Sequence, residues 1–538
     1  MGGAGKTQRR GAVACGHPAT AAAAEEMLAE GGNAFDAVLA ALCAACVAEP
    51  VLASLGGGGF LLAQPAGEEA RLYDFFVQTP KRRLAPDRLD FYPILADFGT
   101  ATQEFHIGIG AMAVPGAVKG LFAVHGELAA LPMTRLVEPA VRLAREGVEI
   151  RPIDGYLFQV VAPILTAGSA SRQLFLDSAE QLIGPGATLR QPELGDTLEA
   201  LAAEGDRLFY EGELAARLVR LCRESGGLLS EADLAGYEVI RRVPFACGYR
   251  GHRVVTNPPP SCGGMLIAFA LALLEEEPPS RFGPGSVEGL LQMARVMDLT
   301  NKARLEARLE DGAEAAAGRL FAPALVERYN AEVRGQPGFG RGTTHISVVD
   351  GSGNLAALSL SNGEGCGSHL PGSGIMLNNM LGEEDLSHGG FHNWPEDRRL
   401  SSMMAPTLAT SAAGARFAIG SGGSNRIRTA VLQVLVNLVD HGMDIEAATQ
   451  AARLHVEGDV ANIEGAAEGT VHEDSAQAQA CHWPAESQAL LAQQGYRTIA
   501  WPMHNLFFGG VHGVALDAGG QLSAAGDPRR GGAALVSG

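Results

Sequence analysis

Alternating apolar and polar side chains predict a β-hairpin that begins at Thr343. The run "TTHISVV" alternates with the period of a half-buried strand. "DGSGN" has the composition of a tight turn, and "LAALSL" returns as a second strand. One face of the first strand carries His345, Ser347 and Val349, and the other carries Thr344, Ile346 and Val348. A register symmetric about Ser352 predicts Ser361 opposite Thr343, unless a bulge shifts the pairing by one residue.

Longer apolar runs predict helices before and after this hairpin. Gly31 and Gly32 end one helix, and Asn33 is placed to cap the next. The apolar run from Ala37 to Ala48 is too short to span a bilayer, so it is predicted to be a buried helix. The segment from about Pro115 to Val333 is mostly helical by its amphipathic runs. Helices, a strand-rich centre and further helices together indicate sheets covered by helical layers.

A second feature is the glycine-rich sequence "GSGGSNRIRTAVLQVLVNLVDHG". Gly420 to Ser424 is predicted to form a turn that leads into a helix running to about Asp440. Backbone N–H groups at such a turn and helix start are unpaired, so they can hold an anion or a developing oxyanion. Close packing of the turn against a sheet explains the glycines equally well, and the sequence leaves both interpretations open.

Composition and charge narrow the class of protein. The 538 residues are 46% apolar and 19% charged, which excludes a disordered chain. A net charge of −19 argues against nucleic acid as a partner, because phosphate binding requires concentrated positive charge. The N-terminus has no continuous apolar segment before a small-residue cleavage site, so a cytoplasmic protein without a membrane partner is expected. The eight scattered cysteines, including C-x-x-C at Cys43 and Cys46, fit core packing better than a disulfide framework or a metal site.

The hairpin and the glycine turn belong to a longer series of motifs. Two hydroxyls facing each other at strand ends are by themselves usually a cross-strand hydrogen bond. Here "TTHISVVD" is preceded by "GGNAFDAVLAA", "GGGGF" and "NPPPSCGG", and followed by "SGIMLNN", "LSSMMAPT", "GSGGSNRI" and "GDPRRGGAALV". In this order the motifs resemble the gamma-glutamyltranspeptidases, a family of the N-terminal-nucleophile hydrolase superfamily, over nearly the whole chain.

This resemblance implies how the protein is made and folded. Proteins similar to it are inactive precursors that cut themselves before the first threonine of the motif, here between Gly342 and Thr343. The products would be a large, mostly helical subunit 1–342 and a small subunit 343–538, which form a heterodimer. Together the subunits would build one four-layer αββα sandwich of the α+β class. The resemblance implies neither a metal nor an organic cofactor.

The resemblance also assigns a chemical role to Thr343. A threonine hydroxyl is a weak nucleophile at neutral pH, and the α-amino group freed by cleavage can accept its proton. Thr343 would attack the carbonyl of a small-molecule amide and form an acyl-enzyme, which water or an acceptor amine takes up. Ser361 matches a second threonine that hydrogen-bonds the nucleophile. Gly423 and Ser424 match the pair whose N–H groups form the oxyanion hole, although the family usually has glycine in place of Ser424.

Further positions correspond to substrate-contacting residues of the family. Asp385 matches the acidic residue that pairs with the α-amino group of a γ-glutamyl group, with Glu383 or Glu384 as alternatives. A serine pair that touches the α-carboxylate of that group is also matched. The remaining candidates are therefore Ser401 and Ser402, together with Asn362 and Phe76.

Phe76 marks the clearest departure from the family pattern. In "YDFFVQTPKR" it occupies the position of an arginine that clamps the substrate's α-carboxylate. Leaving such a buried charge unpaired costs about 2–5 kcal/mol, or roughly thirty-fold to several-thousand-fold in affinity. Lys81, Arg82 and Arg83 follow closely, but a solvated basic face explains them better than a replacement clamp.

Three functions remain open on this basis. The first is an autoprocessed amide hydrolase or acyltransferase that acts on γ-glutamyl compounds such as glutathione. The second has the same machinery but another acyl group, as in the related cephalosporin acylases. The third is a non-catalytic relative that binds a ligand, which the intact Thr343, Ser361 and "GSGGS" disfavour.

Overall fold

The fold is described from a computed structural model of the chain. Gly342 lies outside the described residues, so the expected cleavage position is seen only from its Thr343 side. The described residues are 11–97, 102–307, 318–321, 343–386, 390–465, 483–484, 486–502 and 504–537.

Helices dominate the first three hundred residues and return after the hairpin. The helices are α1 (Pro18–Ala29), α2 (Ala34–Ala48), α3 (Ala117–Leu128), α4 (Met133–Glu146), α5 (Pro152–Val160), α6 (Ala162–Leu165), α7 (Ser169–Phe175), α8 (Pro192–Glu204), α9 (Arg207–Tyr210), α10 (Glu213–Glu224), α11 (Glu231–Ala235), α12 (Gly263–Leu274), α13 (Val287–Ala307), α14 (Arg426–Val439), α15 (Ile445–Gln450) and α16 (Ser487–Gln493). The predicted helix after the glycine turn is confirmed as α14.

Strands come from both halves of the chain. They are β1 (Gly11–Cys15), β2 (Gly58–Gln64), β3 (Arg71–Phe75), β4 (Tyr92–Asp97), β5 (Thr102–Ile107), β6 (Val148–Glu149), β7 (Thr188–Leu189), β8 (Ile240–Arg242), β9 (Phe245–Tyr249), β10 (His252–Thr256), β11 (Thr344–Asp350), β12 (Leu355–Ser361), β13 (Thr407–Ser411), β14 (Arg416–Gly422), β15 (Leu454–Glu457), β16 (Val460–Glu464), β17 (Arg497–Trp501), β18 (Gly510–Leu516), β19 (Leu522–Ala525) and β20 (Ala533–Ser537).

Two antiparallel sheets form the centre of the molecule. The first has the strand order β20-β1-β11-β12-β2-β3-β8, and the second has the order β19-β18-β14-β13-β10-β9. Each sheet contains strands from before and after Thr343. A chain cut at this position would therefore give two subunits that share both sheets.

The sheets face each other, and helices cover their outer surfaces. β11 packs on β14 and β18 of the second sheet. α1 and α2 lie on the outside of the first sheet, while α12 and α14 lie on the outside of the second. The predicted four-layer αββα sandwich of the α+β class is confirmed.

The alternation along β11 separates its two buried faces. Ser347 Oγ donates a hydrogen bond to the His512 carbonyl in β18 (3.1 Å), and the His345 ring fills the space in which Gly420 of β14 lacks a Cβ. On the other face, Ile346 and Val348 join the core that contains α2. The predicted assignment of side chains to faces is confirmed for these positions.

Helix α2 is buried along its whole length, as its apolar run predicts. Asn33 caps it through hydrogen bonds from the N–H groups of Phe35 and Asp36. Cys43 and Cys46 lie in the core among other apolar side chains, and burial raises the pKa of the Cys43 thiol to about 12. This environment confirms core packing for the cysteine pair and makes the Cys43 thiol unreactive.

Among the described helices, none is both long and apolar enough to cross a membrane.

A buried ion network holds the C-terminal turn Pro528–Arg530 beside β16 and β18. The Arg529 guanidinium binds the Glu464 carboxylate, with Nε 2.8 Å from Oε1, and also reaches Asp527 Oδ1 at 3.2 Å. On its other side Asp527 Oδ2 lies 2.6 Å from Arg453 Nη2. The charges of Arg529, Asp527 and Glu464 are fully buried, so the network fixes the turn that carries Arg530.

Candidate active site

Thr343 and Ser361 meet at one end of the central hairpin. The pairs from Thr344↔Leu360 to Val349↔Leu355 follow the predicted register, which places Ser361 opposite Thr343. Both residues are buried, and Ser361 Oγ accepts a hydrogen bond from the Gly363 N–H at 3.0 Å. The register prediction is confirmed, whereas the hydrogen bond from Ser361 to the Thr343 hydroxyl stays a prediction.

The glycine turn lies directly on the Thr343 backbone. β14 ends at Gly422, where a Cβ atom would overlap the Thr343 carbonyl oxygen. Gly423 has φ +121°, and a Cβ there would lie 2.9 Å from the Gly509 Cα. Close packing therefore explains Gly422, and the predicted turn from Gly420 to Ser424 is wrong for its first three residues, which belong to β14. The oxyanion-hole role of Gly423 and Ser424 stays a prediction.

Ser424 has a left-handed backbone, with φ +48°. This conformation costs a residue with a Cβ about 1–2 kcal/mol, and glycine adopts it freely. The resemblance leads us to expect glycine at this position. The left-handed backbone explains this expectation, because glycine adopts such a conformation without strain. Strained residues of this kind persist where the surrounding structure fixes them, and they cluster at functional sites.

The residue after Thr343 anchors the start of β11 on the helical side. Thr344 Oγ1 donates a hydrogen bond to Glu49 Oε2 (2.7 Å), and Thr20 Oγ1 donates to Glu49 Oε1 (3.0 Å). Burial raises the pKa of the Glu49 carboxyl, despite these two hydrogen bonds. The sequence analysis did not identify Glu49, which directly follows helix α2.

Removing the Thr344 hydroxyl is expected to weaken this anchor. Thr344→Val leaves one oxygen of the buried Glu49 carboxyl without its donor, so we expect the free energy of unfolding to fall by about 1–3 kcal/mol. Urea unfolding of an uncut Thr343→Ala background measures it without subunit dissociation. Thr188→Val, on the exposed edge of β7, is the matched control. Equal unfolding midpoints for the Thr344 and Thr188 variants would contradict the anchor.

Three of the residues considered as substrate contacts follow Ser361 in the chain: Asn362, Glu383 and Asp385. Asn362 is fully buried, and neither atom of its side-chain amide has a hydrogen-bond partner within the described residues. Glu383 is also buried, and its carboxylate lies against Gly363. Asp385 falls within a short 3₁₀ turn, Glu384–Leu386, and its side chain lies outside the described part of the structure. These assignments stay predictions.

Ser401 and Ser402 both pack against the segment that precedes α12. Ser401 Oγ donates a hydrogen bond to the Pro260 carbonyl (2.8 Å). Ser402 Oγ accepts one from the Met404 N–H (3.0 Å), and its carbonyl accepts one from Cys262 N–H (2.8 Å). The proline-rich segment thus fixes the position of both serines, and their contact with a substrate carboxylate stays a prediction.

Phe76 directly follows β3, which is two strands away from the strand that ends at Ser361. Its ring is 1% exposed and stacks on Phe60, with the ring centroids 5.4 Å apart. Its carbonyl accepts hydrogen bonds from Tyr237 Oη (2.7 Å) and from Arg399. The Phe76 side chain therefore packs within the core, and its predicted role in substrate contact gains no support from this position.

Arg399 is an arginine near this position that the sequence analysis did not identify. Its Nε lies 3.5 Å from Asp74 Oδ1, and its guanidinium lies over the Tyr237 ring at 4.6 Å. It also donates to the Glu238 carbonyl at 2.6 Å. Because these groups occupy the guanidinium, Arg399 stabilises the end of β3 and does not replace the missing clamp.

The three basic residues after β3 lie on the surface, as predicted. Lys81 Nζ donates to the Ala232 carbonyl (3.0 Å), and Arg82 Nε donates to the Leu228 carbonyl (3.1 Å). The Arg83 guanidinium lies over the Trp394 ring at 5.3 Å. All three are exposed, and they contact helix α11 and two neighbouring loops.

Comparison with known proteins gives the class and then the family. The structure superposes on a cephalosporin acylase from Bacillus halodurans with a TM-score of 0.81 over 98% of this chain and 96% of that one, at 22% identity. It also superposes on the gamma-glutamyltranspeptidase of Helicobacter pylori, with a TM-score of 0.52 over 59% of this chain and 90% of that one, at 25% identity. Both likenesses place the fold in the N-terminal-nucleophile hydrolase class.

Sequence comparison identifies the family. The gamma-glutamyltranspeptidase family model matches residues 20–537, so the chain belongs to this family. It is 31% identical to the acylase ACY 1 proenzyme of Pseudomonas sp. strain V22, across 96% of this chain and 92% of that one. It is also 31% identical to the glutathione hydrolase proenzyme of Escherichia coli K12, across 80% and 78% of the two chains. The protein is therefore an N-terminal-nucleophile enzyme of amide hydrolysis and acyl transfer, and the non-catalytic alternative is wrong.

Proposed function

We propose that Thr343 becomes the nucleophile of this enzyme when the chain cuts itself between Gly342 and Thr343. The observation that carries this proposal is the position of Thr343, which faces Ser361 in register and supports the glycine turn of β14. Relatives that are named proenzymes support it further. The products, 1–342 and 343–538, are then the two subunits of a heterodimer that shares both sheets.

In the proposed reaction, Thr343 Oγ1 attacks the carbonyl carbon of an amide while the freed α-amino group accepts the hydroxyl proton. The N–H groups of Gly423 and Ser424 stabilise the resulting oxyanion. The C–N bond then breaks, the leaving amine takes the proton, and an ester to Thr343 remains. Water or an acceptor amine releases the acyl group by the same steps in reverse order.

We propose further that the acyl group is not γ-glutamyl. Phe76 packs in the core at the position where the family has its carboxylate clamp, and Arg399 is held by Asp74. Similarity to an acylase over 96% of the chain supports this choice. The second candidate is a γ-glutamyl group, and with it glutathione breakdown, which the similarity to a glutathione hydrolase favours.

Hydrolysis of two anilides is expected to separate these candidates. Without the arginine clamp, γ-glutamyl binding loses about 2–5 kcal/mol, so valeryl p-nitroanilide should have a kcat/KM at least equal to that of γ-glutamyl p-nitroanilide. Release of nitroaniline measures both, with the Thr343→Ala variant as the blank. A preference for the γ-glutamyl compound of one hundred-fold or more, on the order of 3 kcal/mol, would select the second candidate.

A further inference from the structure

The start of strand β11 has fewer strand contacts than the rest of the strand. Its pairing with β12 begins at Thr344↔Leu360, and its pairing with β1 on the other edge begins only at Cys15↔Ile346. β1 ends at Cys15, and the chain then leaves the sheet toward α1. The position of Thr343, which directly precedes the strand, therefore depends on what holds Thr344.

A carboxyl group lies at the place where β1 leaves the sheet. Glu49 Oε2 accepts a hydrogen bond from Thr344 Oγ1 at 2.7 Å, and a Cβ on Gly16, the residue after β1, would overlap this oxygen. The Glu49 carbonyl accepts hydrogen bonds from the N–H groups of Leu52 (2.8 Å) and Ala53 (2.9 Å). Thr344 is thus bound to a side chain whose own position is fixed by close packing and by backbone hydrogen bonds.

Two threonine hydroxyls hold the Glu49 carboxyl group. Thr20 Oγ1 donates to Glu49 Oε1 at 3.0 Å, so each carboxyl oxygen has one threonine donor. All three side chains are buried. Arg151 lies nearby but binds Asp154, with Nε 2.8 Å from Oδ2, and Glu49 forms no ion pair within the described residues. The two threonines have equivalent contacts with Glu49, but only Thr344 adjoins the nucleophile.

The second sheet constrains the Thr343 backbone from the other side. Gly422, at the end of β14, lies so close to the Thr343 carbonyl oxygen that a Cβ there would overlap it. Thr344 Oγ1 reaches the helical layer on the opposite face of the first sheet. A displacement of the strand end toward either layer would therefore disturb one of these two contacts.

We propose that Glu49 is a positioning residue, which acts through Thr344 to hold the Thr343 hydroxyl in line with the carbonyl that it attacks. The inference rests on the proposed function, since it takes Thr343 as the nucleophile. In self-cutting, Thr343 Oγ1 bonds to the Gly342 carbonyl carbon, the peptide C–N bond breaks and its nitrogen takes the hydroxyl proton; water then hydrolyses the ester. Such an attack needs aligned atoms about 3–3.5 Å apart, and a misplacement of about 1 Å costs on the order of one hundred-fold in rate.

Two isosteric variants test this proposal. Thr344→Val and Thr20→Val each remove one donor from Glu49, so both should lower the urea midpoint of the uncut Thr343→Ala background to a similar extent. In the chain with Thr343, intact mass follows the uncut fraction of freshly purified protein over time. Thr344→Val should cut itself at least about tenfold more slowly than the wild type, because the nucleophile is no longer held. Thr20→Val should stay within about threefold of the wild type, because the Thr344 contact remains.

Conservative variants and steady-state kinetics distinguish positioning from a merely structural contribution. Thr344→Ser keeps the hydroxyl and Glu49→Gln keeps an acceptor oxygen, so both should retain self-cutting. Glu49→Leu should be as slow as Thr344→Val. Once Thr344→Val has been cut completely, its kcat on an anilide that the wild type hydrolyses should be about tenfold lower, with KM unchanged. Normal kcat in this variant would overturn the inference for the catalytic step.

A double variant keeps the proposal testable if Thr344→Val folds poorly. Glu49→Leu with Thr344→Val removes both polar partners, so it should regain part of the stability lost in Thr344→Val and should still cut itself slowly. Recovery of the wild-type rate together with stability would overturn the inference, and so would equal rates of cutting for Thr344→Val and Thr20→Val. If the wild type neither cuts itself nor hydrolyses any anilide, the proposed function fails, and this inference with it.

Discussion

Thr343→Ala is expected to remain a single uncut chain and to lose amide hydrolysis by at least about ten-thousand-fold, since nucleophile and base both depend on this residue. The alanine has no hydroxyl to attack the preceding carbonyl, so no α-amino group is released. Intact mass of freshly purified protein should show fragments 1–342 and 343–538 for the wild type and one species for the variant. Rates on an anilide that the wild type hydrolyses complete the measurement.

Two further variants distinguish chemistry from folding. Thr343→Ser keeps the hydroxyl, so it should be cut and active, although more slowly. Thr188→Ala alters an exposed threonine in β7 and should behave as the wild type. Thr343 is buried beside Gly422, so its substitution could disturb the fold. The circular dichroism spectrum of Thr343→Ala is therefore compared with that of the wild type first, and the two spectra should match. Normal cutting of Thr343→Ala would assign the nucleophile elsewhere.

Local pattern was sufficient to predict the central hairpin. The alternation after Thr343 fixed which side chains face the second sheet and which face helix α2. The short "DGSGN" turn fixed the register that places Ser361 opposite Thr343. Both signals act between residues less than twenty apart, where turn geometry leaves few alternatives. Helix α14 was predictable for a similar reason, because a glycine turn precedes a long apolar-periodic run.

The partners of these elements were not predictable in the same way. Glu49 contacts Thr344 from 295 positions earlier in the chain, and Arg399 reaches the Phe76 carbonyl across 323. Periodicity shows which face of an element is buried but not which distant side chain meets it. The oxyanion hole and the substrate contacts depend on such long-range contacts. The sequence motifs therefore identified candidate residues for both but did not predict their geometry.

Thr343 lies between two different environments. The Thr344–Glu49 contact is on one side of it and the Arg530 side chain is on the other. On the helical side, a carboxyl group whose neutral form is favoured by burial anchors the strand. On the side of the glycine turn, the buried guanidinium of Arg530 lies against Gly422 and Gly423. Since Glu49 has a raised pKa, its contribution to stability is complete below about pH 4.5 and is lost as pH rises through the folded value. The free energy of unfolding of Glu49→Gln should therefore fall less between about pH 4.5 and neutral pH than that of the wild type.

Breaking the buried ion network is expected to have the largest effect on stability. Arg529→Met leaves Glu464 and Asp527 in the core with one guanidinium, Arg453, in place of two. Removing one partner of a buried ion pair costs about 3–5 kcal/mol, because the remaining charge stays desolvated. The free energy of unfolding, measured by urea titration in the uncut Thr343→Ala background, should fall by this amount. Arg281→Met, which breaks an exposed pair with Glu277, should cost less than about 1 kcal/mol.

A double variant tests whether the cost comes from the stranded charge. Glu464→Leu combined with Arg529→Met removes both charges. The double variant should therefore lose less free energy of unfolding than the sum of the losses in the two single variants.

Unfolding in acid gives an independent check of the network. Burial alone would raise the pKa of Asp527, but Arg453 and Arg529 hold this pKa well below its ordinary value. The stability that Asp527 contributes is present above its unfolded pKa near 3.8 and is lost as pH falls below that value. The wild type should therefore lose stability in acid more steeply than Arg529→Met. Parallel acid profiles together with additive single costs would show that the network contributes packing alone.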